Sequence, residues 1–348
     1  MIYNEVGKTG VEIPPIIFGT SALGNLYEAL SDDTKLNIVS ESVKNVGKNV
    51  VFDSAGKYGA GLALEKLGWC LNQLNIKPED VIISNKLGWK RVPLKGSEPT
   101  FEKGVWMDLK YDAEQAINYD GIIECWEQGN DLLGGRYIPQ LASVHDPDEF
   151  LASAKSETER KQYFHDILEA YRALFDLKKQ GKVKAVGVGA KNWKVIREIS
   201  EHVSLDWAMF ANSMTVYSHP VDLLEFMAKL HAGGTGIVNS AVFNAGFLIG
   251  GDYFDYVKIL PDTPENKARF QWRESFTSLC SQFGLQPANV CVAFGMSAPG
   301  VISISLNTSK PKNVKSNVES VITPVPSEFW KAMKNKGLIR RDYPYLGV

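Results

Sequence analysis

An aspartate, a tyrosine, a lysine and a histidine stand where short apolar runs give out. Asp53 and Tyr58 follow Asn49-Val50-Val51-Phe52, Lys86 follows Val81-Ile82-Ile83, and His145 follows Gln140-Leu141-Ala142. An acid, a phenol, an amine and an imidazole at the ends of three successive strands can move protons. A free tyrosine titrates near 10 and is a poor acceptor at neutral pH. An ammonium within ~4 to 6 Å favours its phenolate, and a carboxylate behind the ammonium keeps it charged and oriented. The pattern assigns Tyr58 as acid/base, Lys86 as its partner, Asp53 as the orienting group and His145 as a hydrogen-bonding residue for a substrate oxygen. Taken singly, each has a plainer reading: Asp53 as a cap, Tyr58 as loop packing, Lys86 as a solvated charge, His145-Asp146-Pro147 as a turn. Joint placement in strand order outweighs these.

A frame must hold those ends together. Strand-like runs are Ile16 to Gly19, Val50 to Asp53, Val81 to Asn85, Leu141 to Val144, Ala185 to Gly189, Asp206 to Phe210, Gly236 to Ala241 and Val301 to Leu306. Val11 to Pro15, after the Lys8-Thr9-Gly10 turn, predicts an N-terminal β-hairpin. Helical periodicity covers Asp33 to Val46, Leu62 to Leu74, Asp120 to Leu132, Lys161 to Gln180, Trp193 to Glu201, Pro220 to Ala232, Asn266 to Phe283 and Pro311 to Ser320. Val- and Ile-rich strands each followed by a helix read as parallel and buried on both faces, and eight such units close most economically into an α/β fold of the (β/α)8 TIM-barrel type. The whole chain, 1–348, reads as one such domain. A doubly wound dinucleotide fold would show Gly-x-Gly-x-x-Gly after its first strand, and Gly19-Thr20-Ser21-Ala22-Leu23-Gly24 does not. The long stretches Gly88 to Asn118 and Gly250 to Glu265 read as irregular loops at the carboxyl-terminal face, the face where such barrels build active sites.

Composition narrows the class. The balance of 38 basic against 40 acidic residues gives no field that steers nucleic acid or an anionic membrane. No apolar stretch approaches the ~18 residues of a membrane span, and the start lacks a signal-peptide pattern, so a cytoplasmic protein is expected. Cys70, Cys125, Cys280 and Cys291 lack metal-ligand spacing and read as reduced thiols; no metal is expected. His165 and Glu169 read as a surface pair, His202, His219 and His231 as structural, and Ser240 lacks a nucleophile elbow.

Phe52-Asp53-Ser54-Ala55-Gly56-Lys57-Tyr58-Gly59, Ile83-Ser84-Asn85-Lys86-Leu87-Gly88 and Val144-His145-Asp146-Pro147 resemble the signature segments of the aldo-keto reductase superfamily. Asn118-Tyr119-Asp120-Gly121 and Val242-Phe243-Asn244-Ala245-Gly246 are similar to the aldose 1-dehydrogenase branch, which includes L-fucose, D-threo-aldose and pyridoxal dehydrogenases. The resemblance implies hydride transfer with NAD or NADP and a small sugar or aldehyde substrate. It implies a cofactor lying against Gly19, Thr20, Phe243, Asn244, Gly246, Ser309, Lys310, Asn313 and Asn317, with Asn192 or Asn212 in place of the Ser-Asn that many relatives carry after the fifth strand. NADP-preferring members carry Lys or Arg at positions matching Asn307 and Asn313, so NAD is expected, with Lys310 and Lys312 near enough to serve NADP. Trp89, Trp106 and Tyr119 are expected against a sugar. The alternatives are an NADPH-dependent aldehyde or ketone reductase and a non-catalytic, cofactor-binding regulatory subunit.

Overall fold

The computed structural model describes residues 1–347. It opens with a hairpin of β1 (Asn4–Glu5) and β2 (Glu12–Ile13). Val6, Val11 and Ile13 of this hairpin join Ile17, Val51, Trp207 and Val238 in one buried cluster, so the hairpin plugs the lower end of the sheet that follows. That sheet is a closed barrel of parallel strands: β3 (Ile16–Gly19), β4 (Val50–Ala55), β5 (Val81–Leu87), β8 (Leu141–His145), β9 (Ala185–Ala190), β10 (Trp207–Ala211), β11 (Gly236–Ser240) and β14 (Val301–Leu306). It closes where Ile304 of β14 pairs with Ile16 of β3. β4, β5, β8 and β9 are buried along their entire lengths, as expected of strands enclosed on both faces. Surrounded by helices, this is a (β/α)8 TIM barrel.

The expected irregular stretches contain order. Trp89–Pro93 (β6) and Tyr111–Gln115 (β7) form an antiparallel hairpin, and Leu26 bridges Trp106 beyond it, so Gly88 to Asn118 is a folded lid. Tyr253–Phe254 (β12) and Val257–Lys258 (β13) form a second hairpin inside Gly250 to Glu265.

The outer helices are α1 (Asp32–Val46), α2 (Leu62–Gln73), α3 (Tyr119–Leu132), α4 (Pro147–Ala152), α5 (Glu157–Lys179), α6 (Trp193–Ser200), α7 (Val221–Gly233), α8 (Pro264–Gln282), α9 (Pro287–Ser297), α10 (Lys312–Ser320) and α11 (Ser327–Asn335). Side chains of Ser31, Asn118 and Ser156 cap α1, α3 and α5 by accepting backbone N–H bonds. The Ser156 cap starts α5 ahead of the expected Lys161, because a polar first turn carries no apolar period. α4, α9 and α11 were not expected. Of these, α9 packs on β14 while α8 lies outside it, with Val290, Cys291, Val292 and Phe294 buried. A helix apolar on nearly every face has no amphipathic signature to read. No described helix is long and apolar enough to cross a membrane.

His219 ties the carboxyl-terminal segment to this frame. Its Nδ1 lies 3.2 Å from the Thr215 carbonyl, and Nε2 accepts the Arg340 N–H at 3.2 Å, which leaves no room for a second ring proton. Burial lowers its pKa to about 4. The stability this represents is present above the unfolded value of ~6.5 and is lost as pH falls towards 4, on the order of 3 kcal/mol at most. His219→Gln should therefore flatten the fall in urea midpoint between pH 7 and pH 4.5. Equal slopes in variant and parent would refute the linkage.

Candidate active site

β4, β5 and β8 lie side by side, and their upper ends hold the proton-handling residues together. Asp53 pairs in register with Ser84, and Ala55 with Lys86. The Asp53 carboxylate accepts from the Ser84 hydroxyl at 2.9 Å and from the Lys86 ammonium in a close ion pair, with both charged side chains buried. The ammonium also sits 4.7 Å from the centroid of the Tyr58 ring. His145 meets that ring edge-on at 5.5 Å, and Trp106 lies 5.8 Å away on the lid. The turn carrying Tyr58 is fixed from behind by glycines. Gly59 has φ +61°, and a Cβ on Gly24 would fall 2.8 Å from the Tyr58 carbonyl oxygen.

The electrostatics depart from expectation at Tyr58. Burial, then the carboxylates of Asp53 and Asp146, push its phenol well above 10, against a smaller opposing effect from Lys57. Burial and the carboxylates outweigh any pull from the Lys86 ammonium. Burial and the nearby ammoniums of Lys86 and Lys57 hold His145 well below its usual range, so the imidazole is neutral. Its Nε2 lies 3.5 Å from Asp146 Oδ2, and its buried Nδ1 has no protein partner.

Lys57 is the residue that reading by strand ends missed. Nearly fully buried, its Nζ meets Asp146 at 2.8 Å, Glu149 at 2.7 Å and Glu102 at 2.9 Å. Burial alone would lower this lysine, but the carboxylates outweigh it and hold it above its ordinary value. Glu102 also accepts from the Trp106 indole at 2.7 Å, so one ammonium joins the lid, the residue after His145 and the residue before Tyr58. Adjacency to two signature residues was the available sequence signal; Glu102 gave none.

Above Tyr58 lies a cavity of about 160 Å³, walled by Tyr27, Glu102, Trp106, His145, Asp146 and Tyr256 among others. Trp106 faces it as expected. Trp89 does not: it is packed under the lid against Phe101 at 5.8 Å, with the Lys57 ammonium 5.0 Å from its ring. Tyr119 is on the outside of the barrel, donating to Asp176 at 2.9 Å with Arg172 over its ring. It starts a helix rather than ending a strand, which turns it away from the mouth. The β12–β13 hairpin crosses the cavity, with Tyr253 stacked on Tyr27 at 5.2 Å.

The expected cofactor residues are dispersed around the same mouth. Asn212, at φ +59° just beyond cavity-lining Ala211, is buried with both amide atoms unpartnered, which suits a carboxamide offering the complementary donor and acceptor. Asn192 is instead the cap of α6, accepting from Lys194 N–H at 3.1 Å. Thr20 turns its hydroxyl onto the Asp53 carbonyl at 3.0 Å. Phe243 is partly buried against two core clusters, and Asn244 donates to Asp255 at 2.8 Å, anchoring the β12–β13 hairpin. At Gly246 a Cβ would meet nothing, so its φ of +96° rather than close approach calls for glycine. Gly19 ends β3 beside Asn307, whose amide donates to Ser21 at 2.9 Å. Ser309, Lys310, Asn313 and Asn317 follow in the loop and first turns of α10, where Lys310 and Lys312 are exposed. The residues present thus fit a nicotinamide dinucleotide, with Asn212 as the amide at hand.

Comparison with known proteins supplies the family and the fold. The chain is 26% identical to a pyridoxal 4-dehydrogenase of Microbacterium luteolum, over 97% of each chain. It is 24% identical to a D-threo-aldose 1-dehydrogenase of a Pseudomonas species, over 95% of this chain and 96% of that one. Its fold matches the solved glycerol dehydrogenase of Gluconobacter oxydans at a TM-score of 0.69 and 18% identity, covering 98% of this chain and 96% of the other. The pattern of the Aldo/keto reductase family matches residues 15–337, and the chain belongs to that family.

Proposed function

We propose that the protein oxidises the C1 hydroxyl of a neutral aldose to a lactone, with NAD as hydride acceptor. Membership of the family makes it an oxidoreductase that uses a nicotinamide cofactor. The finer reading rests on one observation: the cavity combines Tyr58 and His145 with aromatic faces from Trp106, Tyr27 and Tyr256 and the carboxylates of Glu102 and Asp146. A pyranose stacks its C–H faces on rings and offers hydroxyl donors to such acceptors.

When bound, the nicotinamide takes the hydride. The chain supplies the rest. Neutral His145 hydrogen-bonds the reacting oxygen, and Tyr58 exchanges the proton with it. Asp53 holds the Lys86 ammonium against the phenol ring. Burial keeps the phenol protonated at neutral pH, the form that donates in reduction, whereas oxidation should accelerate as pH rises and the phenolate becomes populated.

Trp106→Ala should raise KM for the sugar roughly tenfold while changing KM for NAD less than twofold, since one stacking face is removed. Trp89→Ala should lower Tm and shift both constants together. Interchange of these two phenotypes would refute the placement of the sugar.

The deciding experiment is a screen of NAD and NADP reduction against free aldoses, pyridoxal and simple aldehydes. Pyridoxal belongs in it because it, too, closes into a cyclic hemiacetal. NAD-linked oxidation of an aldose is the expected result, and Asn307→Lys should move kcat/KM towards NADP by roughly tenfold. Reduction of simple aldehydes without any aldose oxidation points to the reductase. Cofactor binding with no turnover of any compound points to the regulatory subunit.

A further inference from the structure

On the far side of the Gly24–Gly59 contact, a second cavity of about 440 Å³ opens between the first turns of α1 and α2 and the root of the lid. Its charged wall is mostly closed: Lys66 meets Asp32 at 2.7 Å, and Arg91 meets Glu65 at 2.9 Å. Lys35 is the buried exception, Lys110 and Asp108 being unpaired but exposed on the same wall. It is 2% exposed, it lines the cavity, and among the described residues its ammonium has neither a hydrogen bond nor an ion pair. Burial and then Lys66 lower its pKa, against Asp32, Cys70 and Asp108. An ammonium so little exposed and without a protein partner is placed to receive an anion from the cavity it lines. The amino-terminal turns of two helices, α1 and α2, also border the space, and their dipoles favour an anion there. Beside this positive centre stands an acceptor that calls for hydroxyl donors, the exposed, unpaired Asp108, with Leu30, Leu62 and Leu109 as apolar wall.

We propose that this cavity binds a small polyhydroxy monocarboxylate, its carboxylate on Lys35 and its hydroxyls towards Asp108. Lys35, Lys66, Arg91 and Lys110 stand against Asp32, Glu65 and Asp108 on this wall, leaving one net positive charge, which a carboxylate answers and a phosphate exceeds, while a neutral sugar would leave Lys35 unpaired. The same chemistry describes the acid formed when a sugar lactone hydrolyses, so a role in sensing product rests on the function proposed above; the binding does not. Gly59 is common to this wall and to the turn that holds Tyr58, so occupancy has a short route to the active site.

The test is titration calorimetry on the full chain saturated with NAD, using gluconate, acetate and inorganic phosphate as probes. Gluconate should bind at one site, acetate at least tenfold more weakly, and Lys35→Met should weaken gluconate at least tenfold. Tyr58→Phe should leave gluconate binding unchanged, which separates this cavity from the active site. Lys35→Met removes an unpaired buried charge while keeping its stem, so its Tm without ligand should equal or exceed the parent's. Lys35→Gln serves as a second variant, with the same expected loss of gluconate. Absence of gluconate binding, binding indifferent to both variants, or phosphate bound more tightly than gluconate would each overturn the assignment. Failure to oxidise any aldose, with Lys35-dependent gluconate binding intact, would sink the proposed reaction and leave this site standing.

Discussion

Tyr58→Phe lowers kcat by roughly a thousandfold or more and changes the dissociation constant for NAD less than threefold. The phenol is buried, flanked by His145 at 5.5 Å, and lies in the cavity wall, so loss of its hydroxyl removes proton transfer without disturbing the surrounding packing. General acid–base groups contribute ~10² to 10⁴ in rate, and here no neighbour can substitute. His145 is neutral and well below its usual range, Lys86 is committed to Asp53, and Lys57 to its carboxylates. Single-turnover kinetics with tight-binding controls measure both quantities. Retention of a tenth of parental kcat removes Tyr58 from this role.

Lys86→Met is expected to cost nearly as much, for a different reason. It leaves the Asp53 carboxylate buried without its counter-charge, a situation worth ~3 to 5 kcal/mol in other buried pairs. Two effects should follow. Tm falls, and the Tyr58 phenol, already raised by burial and by Asp53, rises further, so the pH profile for oxidation moves to higher pH. Pairing the change with Asp53→Asn separates them: the double variant should regain much of the lost Tm without regaining kcat. A pH profile for Lys86→Met that overlays the parent would show that the pair serves stability alone.

Much of this site could be read from the chain because its residues sit at the ends of apolar runs, where strand periodicity and chemistry coincide. Asp53, Lys86 and His145 lie on or at the ends of β4, β5 and β8, and the signature segments around them fixed their order. The direction of the Tyr58 shift was not legible. It rests first on burial and Asp53, then on Asp146 and Glu102, one on a turn with φ +49° and one on the lid, and neither of the latter two sequence neighbourhoods reveals which ring a carboxylate will face. Trp89 and Tyr119 show the same limit. Both are aromatic and near the mouth in sequence, yet one fills the lid's underside and the other bonds across α3 and α5. α9 escaped notice because Pro287-Ala288-Asn289-Val290-Cys291-Val292-Ala293-Phe294 offers no polar face to set a period.

The backbone clasp of Gly24 against Gly59 has a consequence for engineering. A side chain at Gly24 drives into the peptide after Tyr58, and one at Gly59 drives into the Gly24 backbone, so mutational libraries there should yield inactive proteins whatever the intended substrate. Diversity is better spent on Glu102 to Trp106 and Tyr253 to Val257, two segments that border the cavity and are linked by Tyr27, whose N–H donates to the Val105 carbonyl and whose ring stacks on Tyr253. Recombining those roofs between relatives should alter substrate choice while the chemistry underneath is inherited intact.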